Sequence, residues 1–97
     1  MLPIAFHRTS TSVVRAYGVR AADVERFCLV LQEREPRLRC RGLFQDPRKW
    51  LYYAEVDFCE APDIQAELPP VGAFYGHPDV QLLMERVGVS RITKDGT

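Results

Sequence analysis

The sequence has no surplus of charge and no long hydrophobic run. Its 97 residues include 13 basic and 13 acidic side chains, so the formal net charge is zero. A balanced charge gives no electrostatic attraction to nucleic acid or to anionic lipid. The apolar stretches are far shorter than the roughly 20 residues that a membrane-spanning helix needs. The composition therefore predicts neither a nucleic-acid partner nor a membrane partner.

Cysteine is scarce, and its spacing offers no metal site. Cys28, Cys40 and Cys59 are odd in number and far apart, without a C-x-x-C pair or a Cys/His pair at ligand spacing. Cys28 lies on an apolar helix stripe and Cys40 on an apolar strand face, so both are predicted to be small buried side chains in a reducing compartment. The first residues lack the charged and apolar regions of a signal peptide. We therefore expect a cytoplasmic protein without a bound metal.

Motifs for cofactor binding and for nucleophilic catalysis are missing as well. No glycine-rich phosphate loop is present. No Ser/His/Asp triad can be assembled from the spacing of these residue types. The sequence therefore predicts no cofactor, and it leaves open whether the protein is catalytic.

The clearest positive signal is a helix with both ends marked. Pro78 stands at the first helical position, where its missing N–H costs nothing, and Asp79 adds negative charge at the positive end of the helix dipole. Gly88 follows as a C′ residue that tolerates a positive φ. The apolar residues recur at helical spacing and form one stripe: Val80, Leu83, Met84 and Val87. This pattern predicts a helix over residues 78–87.

The remaining pattern predicts a small α+β domain. Strands are expected over 12–18, 38–44, 50–59 and 89–93, a further long helix over 21–35, a short helix over 61–68 and a loop over 69–76. The order βαββαβ predicts a ferredoxin-like antiparallel sheet of four strands with the helices on one face. Residues 12–97 form this single domain, and residues 1–11 form an arm or an extra strand.

Residues 50–59 alternate so that both faces of the predicted strand carry apolar side chains. Trp50 and Tyr52 share one face, whereas Leu51 and Tyr53 share the other. If the second face is open, Leu51 and Tyr53 need a cover, because contiguous apolar patches seldom stay exposed. We therefore predict a homodimer that forms through the sheet faces.

Several short phrases between Leu43 and Gly88 resemble a known family. They are Leu43-Phe44, Leu51-Tyr52, His77-Pro78 with Gln81, and Glu85-Arg86-Val87-Gly88. In this order they resemble the dimeric α+β barrel superfamily, and within it the aromatic-polyketide cyclases of the tetracenomycin cyclase type. The antibiotic-biosynthesis monooxygenase group has the same outline.

The resemblance implies a small cofactor-independent enzyme of secondary metabolism. It would cyclise or oxygenate an aromatic, polyketide-like compound. The alternative is a non-catalytic module of the same fold that binds a metabolite or a protein partner. Ala54 favours this alternative, because it stands where the cyclases carry a histidine.

The resemblance also implies candidate site residues, each with a simpler structural interpretation. Trp50 and Tyr52 would line the substrate pocket, or they pack in the core. His77 would exchange protons near neutral pH, or it closes the end of the helix. Apart from the resemblance, Gly72 and Gly76 bracket Phe74 and Tyr75, which either form a mobile lid or anchor the loop to the core.

Alternating arginines predict a ladder of ion pairs between two strands. The expected register places Arg39 opposite Glu55 and Arg37 opposite Asp57, where opposite charges stabilise the pairing. Arg41 then has no carboxylate opposite, which leaves it as a second catalytic candidate, free to meet a ligand or the other subunit.

Overall fold

The computed structural model describes residues 2–48 and 50–90. The strands are β1 (Ile4–Arg8), β2 (Val13–Gly18), β3 (Arg39–Gln45), β4 (Tyr52–Asp57) and β5 (Phe74–Gly76), and the helices are α1 (Ala21–Arg34), α2 (Pro62–Gln65) and α3 (Pro78–Arg86). All strand pairs are antiparallel, in the order β3-β4-β2-β1-β5. The α+β class is confirmed, and the five-stranded sheet is compatible with a ferredoxin-like fold. Within the described ranges, no helix is long and apolar enough to cross a membrane.

One of the two structures expected for residues 1–11, an extra strand, is formed as β1, whereas β5 falls outside the predicted set. β1 forms a hairpin with β2, and the short edge strand β5 lies where a loop was expected. Tyr75 pairs with Phe6 in this edge. The strand predicted over 89–93 is not formed at Val89 or Ser90, and its other residues lie outside the described ranges. In the sheet, β2 lies between β4 and β1.

The two long helices lie on opposite faces of the sheet, which corrects the prediction that they share one face. Successive residues of a strand point to opposite faces. Val24 of α1 belongs to the same apolar cluster as Ile4, whereas Met84 of α3 belongs to the cluster of Ala5, the next residue of β1. The physical reason is that β5 brings the chain to the sheet edge, from which α3 turns onto the other face. α1 packs against β1, β2, β3 and β4, whereas α3 packs against β1 and β5.

The ends of α3 are formed as the sequence predicts. Pro78 occupies the first turn, and Gly88 has a φ of +84°. The N–H of Val89 donates to the carbonyl of Met84 at 2.9 Å, and the N–H of Gly88 donates to that of Glu85 at 3.1 Å. These two bonds form a Schellman motif, which satisfies carbonyls that the end of a helix would leave unpaired.

The predicted register of β3 against β4 is wrong by two residues. Arg39 lies opposite Asp57 and Arg41 lies opposite Glu55. A bulge between Arg41 and Phe44 shifts the pairing by one further residue, so that Phe44 lies opposite Tyr53, and Gly42 within the bulge has a φ of +72°. A positive φ is costly for residues with a Cβ, so glycine is suited to this position.

The guanidinium of Arg8 connects the β1–β2 turn to the segment that precedes β5. It donates to the carbonyls of Ser10 and Thr11 at 3.2 and 2.6 Å. It also donates to the carbonyl of Pro69 at 2.8 Å. One side chain therefore ties the turn that follows β1 to the segment that precedes β5.

Candidate functional site

On the sheet face that α1 covers, a groove opens near the edge of the sheet. The groove has a volume of about 430 Å³ and lies between α1 and the edge formed by β1 and β5. Its lining is mainly apolar and includes Phe6, Phe27, Leu31, Arg34 and His77. We call it the aromatic groove.

Aromatic rings stand against one another along the groove. The ring centroids of Phe6 and Phe27 are 5.3 Å apart with the planes tilted by 56°. Phe6 also stacks on Tyr75, with centroids 5.1 Å apart and planes 28° apart. Burial raises the pKa of the Tyr75 hydroxyl, which keeps this phenol neutral at physiological pH. The two rings that line the groove, those of Phe6 and Phe27, are apolar.

His77 lies at the groove and does not cap α3. It occupies the N-cap position, but its side chain makes no capping hydrogen bond. The amide of Gln81 instead donates to the carbonyl of Gly76 at 2.8 Å. Among the described residues, the enclosed Nδ1 of His77 has no hydrogen-bond partner. The helix-end interpretation of His77 is therefore not supported by a capping bond.

A second opening lies on the opposite face, beside α3, and is polar. We call this opening of about 520 Å³ the polar cleft. Glu55 lies within it and accepts from Arg41 at 2.8 Å and from Arg15 at 3.4 Å. The guanidinium of Arg15 also stands 4.7 Å from the centre of the Tyr53 ring. Burial raises the pKa of the nearby Tyr17 hydroxyl.

Arg41 is therefore neutralised by Glu55, contrary to the expectation that it has no carboxylate opposite. The cause is the difference in register: Glu55 lies opposite Arg41 rather than opposite Arg39, as was predicted. Arg41 and His77 also lie on opposite sides of the sheet, since each lines a different opening. The two catalytic candidates are not brought together.

The aromatic candidates are dispersed in the same way. Trp50 precedes β4 and is 64% exposed, so it forms no wall. Tyr52 packs against the cluster covered by α1, and its hydroxyl accepts from the amide of Gln45 at 3.4 Å. Phe74 packs on His7 at the α3 face, with centroids 4.7 Å apart, whereas Tyr75 lies on the groove side. Because they are neighbours in a strand, Phe74 and Tyr75 point to opposite faces.

Sequence reasoning missed Phe6, Phe27 and Arg34 as site residues. The alternation in residues 4–8, with Ile4 and Phe6 set against Ala5 and His7, could have indicated β1. Phe27 was predicted on the buried stripe of α1. No local sequence signal indicates that its ring also lines a groove beyond the packed core. The pairing of β1 with β5 brings Phe6 and His77 to the same groove, and this pairing is not local in sequence.

Metal ligation finds no support in the residues 2–48 and 50–90, where no group of three His, Cys, Asp or Glu side chains could hold an ion. Comparison with family models, with curated proteins and with solved structures gives no match to this chain.

Proposed function

We propose that this domain binds a planar aromatic compound in the aromatic groove and that His77 exchanges a proton with it. The observation that carries the proposal is the combination of stacked rings, a suitable volume and a histidine side chain at one opening. Small-molecule sites are commonly clefts of about 300–1,000 Å³ with apolar walls and few polar groups. The groove meets both criteria.

The groove residues suggest how such a ligand is oriented. Phe6 and Phe27 offer ring faces for offset stacking, which contributes about 0.5–1.5 kcal/mol per ring pair beyond buried area. Arg34 is exposed at the rim and can pair with a phenolate or carboxylate. His77 can then accept a proton from a ring carbon or hydroxyl group. A polyphenol or an aromatic acid fits this arrangement.

The activity that we propose is cofactor-independent proton transfer on a polyketide-like compound, leading to cyclisation or a related oxygenation. Its sequence support is the resemblance of residues 43–88 to the aromatic-polyketide cyclases, and membership of the dimeric α+β barrel superfamily is part of the same proposal. The competing function is a binding module without turnover. Ala54, which is buried, favours the module because it supplies no second proton-transfer group.

Binding is tested with 3-hydroxy-2-naphthoate, a planar probe that carries both a hydroxyl and a carboxylate. We expect amide chemical shifts to change around Phe6, Phe27 and His77 in a two-dimensional NMR titration. Phe27→Ala should weaken binding about tenfold, since a ring contact of roughly 1.4 kcal/mol is lost. The matched control is Trp50→Ala, which removes an exposed ring outside the groove. Shift changes confined to the polar cleft would contradict the assignment of the groove.

Catalysis is tested by the α-proton exchange of 2-tetralone in deuterated water. A base at His77 should accelerate the exchange, and His77→Ala should abolish the acceleration with little change in melting temperature, because no capping bond is lost. Arg41→Ala should leave the rate unchanged, since Arg41 lies across the sheet. If naphthoate binds but exchange is not accelerated, the domain is a binding module.

We also propose the homodimer through sheet faces, now on different grounds. Leu51, which motivated it, is fully buried in the cluster that includes Met84 of α3. The uncovered part of that face instead offers Tyr53 and the partly exposed Phe44, whose centroids are 5.2 Å apart. Analytical ultracentrifugation should show a dimer at micromolar concentration, and Phe44→Ser should shift it toward monomer. A wild-type protein that sediments as a monomer would exclude this interface.

A further inference from the structure

Two of the three cysteines meet across the interface between α1 and β3. Cys28 lies on α1 and Cys40 on β3, and the interaction between the two thiols lowers the pKa of Cys28 and raises that of Cys40. Both side chains are half-buried rather than enclosed in the core. They line one surface pocket of about 250 Å³, together with Leu29 and Leu43. The two cysteines therefore share one pocket that is open to small solutes, which the sequence analysis did not anticipate.

We infer that Cys28 and Cys40 form a redox-active dithiol that hydrogen peroxide converts to a disulfide between α1 and β3. The position supports this assignment, because α1 packs against β3 and both cysteines line the same small pocket, which brings the two side chains to one place where an S–S bond can form. The pocket admits a molecule as small as a peroxide to both sulfur atoms. The site does not depend on any ligand of the aromatic groove.

The two thiols differ in the ease with which they lose a proton. The hydrogen bond from Cys40 lowers the pKa of Cys28, because it stabilises the thiolate. The same contact, together with burial, raises the pKa of Cys40, which therefore keeps its proton. Since the thiolate is the nucleophile, Cys28 attacks first and Cys40 resolves.

The chemistry balances in two steps. The Cys28 thiolate attacks one oxygen of hydrogen peroxide, the O–O bond breaks, and a sulfenic acid forms while the hydroxide that leaves takes up a proton to become water. The Cys40 sulfur then attacks the sulfur of Cys28, the S–O bond breaks, and a second water leaves with the proton of Cys40. The two sulfur atoms are oxidised to a disulfide, and the peroxide is reduced to two waters.

The experiment uses the full chain carrying Cys59→Ser, so that the exposed third cysteine cannot form intermolecular bonds. After treatment with hydrogen peroxide, the intact mass should fall by two hydrogen atoms. Trypsin digestion without reductant should release a linked pair of peptides, one spanning residues 27–34 and the other residues 40–41. Dithiothreitol should restore both the mass and the separate peptides.

Single variants assign the roles of the two thiols. In Cys40→Ser, dimedone should trap a sulfenic acid on Cys28, whereas in Cys28→Ser the trapping on Cys40 should be slower by on the order of tenfold. Circular dichroism confirms that each variant is folded. A linked pair with equal trapping rates would overturn the assignment of Cys28 as the attacking thiol. Failure to form the linked pair in the folded Cys59→Ser protein would overturn the proposal itself.

Discussion

Gly76→Ala should destabilise the protein by about 2–4 kcal/mol, through backbone strain and close contacts together. Gly76 has a φ of +108°, which side chains with a Cβ rarely adopt. An added Cβ would also stand 2.8 Å from the carbonyl oxygen of Ile4 and 2.9 Å from the Cα of Ala5. Both contacts are with the backbone of β1, which is paired on both sides and cannot move without disturbing the sheet.

Gly88→Ala is the matched control for this variant. Gly88 also has a positive φ, of +84°, but no described atom lies within 4 Å of the Cβ position. Only backbone strain is added, so the expected loss is about 1 kcal/mol. Urea unfolding monitored by circular dichroism gives both values. Equal losses in the two variants would show that β5 does not approach β1 as closely as described.

Leu51→Ala should cost about 2–5 kcal/mol of unfolding free energy. Leu51 is fully buried and shares a cluster with Tyr17, Val80 and Met84, which come from β2 and α3. Its removal leaves a cavity between the sheet and α3 that neighbouring side chains fill only in part. The midpoint of urea unfolding should fall while the slope of the transition stays constant.

Trp50→Ala tests the adjacent residue, which sequence reasoning placed in a pocket wall. Because Trp50 is 64% exposed, its truncation should change stability by no more than about 0.5 kcal/mol. Together, the two variants compare a fully buried large apolar residue, Leu51, with its largely exposed neighbour, Trp50. A larger loss for Trp50 than for Leu51 would reverse the assignment of their environments.

Local signals predicted α3, α1 and three of the strands well. Pro78 and Gly88 determine where α3 begins and ends through backbone chemistry within one turn. Pro36 similarly follows the end of α1, which stops at Arg34. Such rules involve only neighbouring residues, so one sequence suffices to apply them.

Non-local pairing could not be predicted from the same signals. The register of β3 depends on a bulge at Gly42, and a single glycine in a strand pattern does not specify how many residues it offsets. The strand β5 is only three residues long, and its pairing with β1 decides which face α3 covers. A prediction that omits β5 and its pairing with β1 therefore places both helices on one face.

The candidate site was predicted only at single positions. His77 was selected for its chemistry, and it does line an opening, but its neighbours Phe6 and Phe27 come from distant parts of the sequence. Arg41 was selected because the wrong register left it unpaired. Which residues share an opening depends on the face of each strand residue, and that follows from tertiary pairing rather than from composition.

The three hydrogen bonds that Arg8 donates to carbonyls help to determine which side chains each face of the sheet presents. β1 contributes Phe6 to the aromatic groove and His7 to the polar cleft, so this one strand separates an apolar compartment from a charged one. A slip of β1 by a single residue would exchange the ring and the imidazole between the two compartments. By bonding to the β1–β2 turn and to the segment that precedes β5, Arg8 keeps the two chemistries on their own sides.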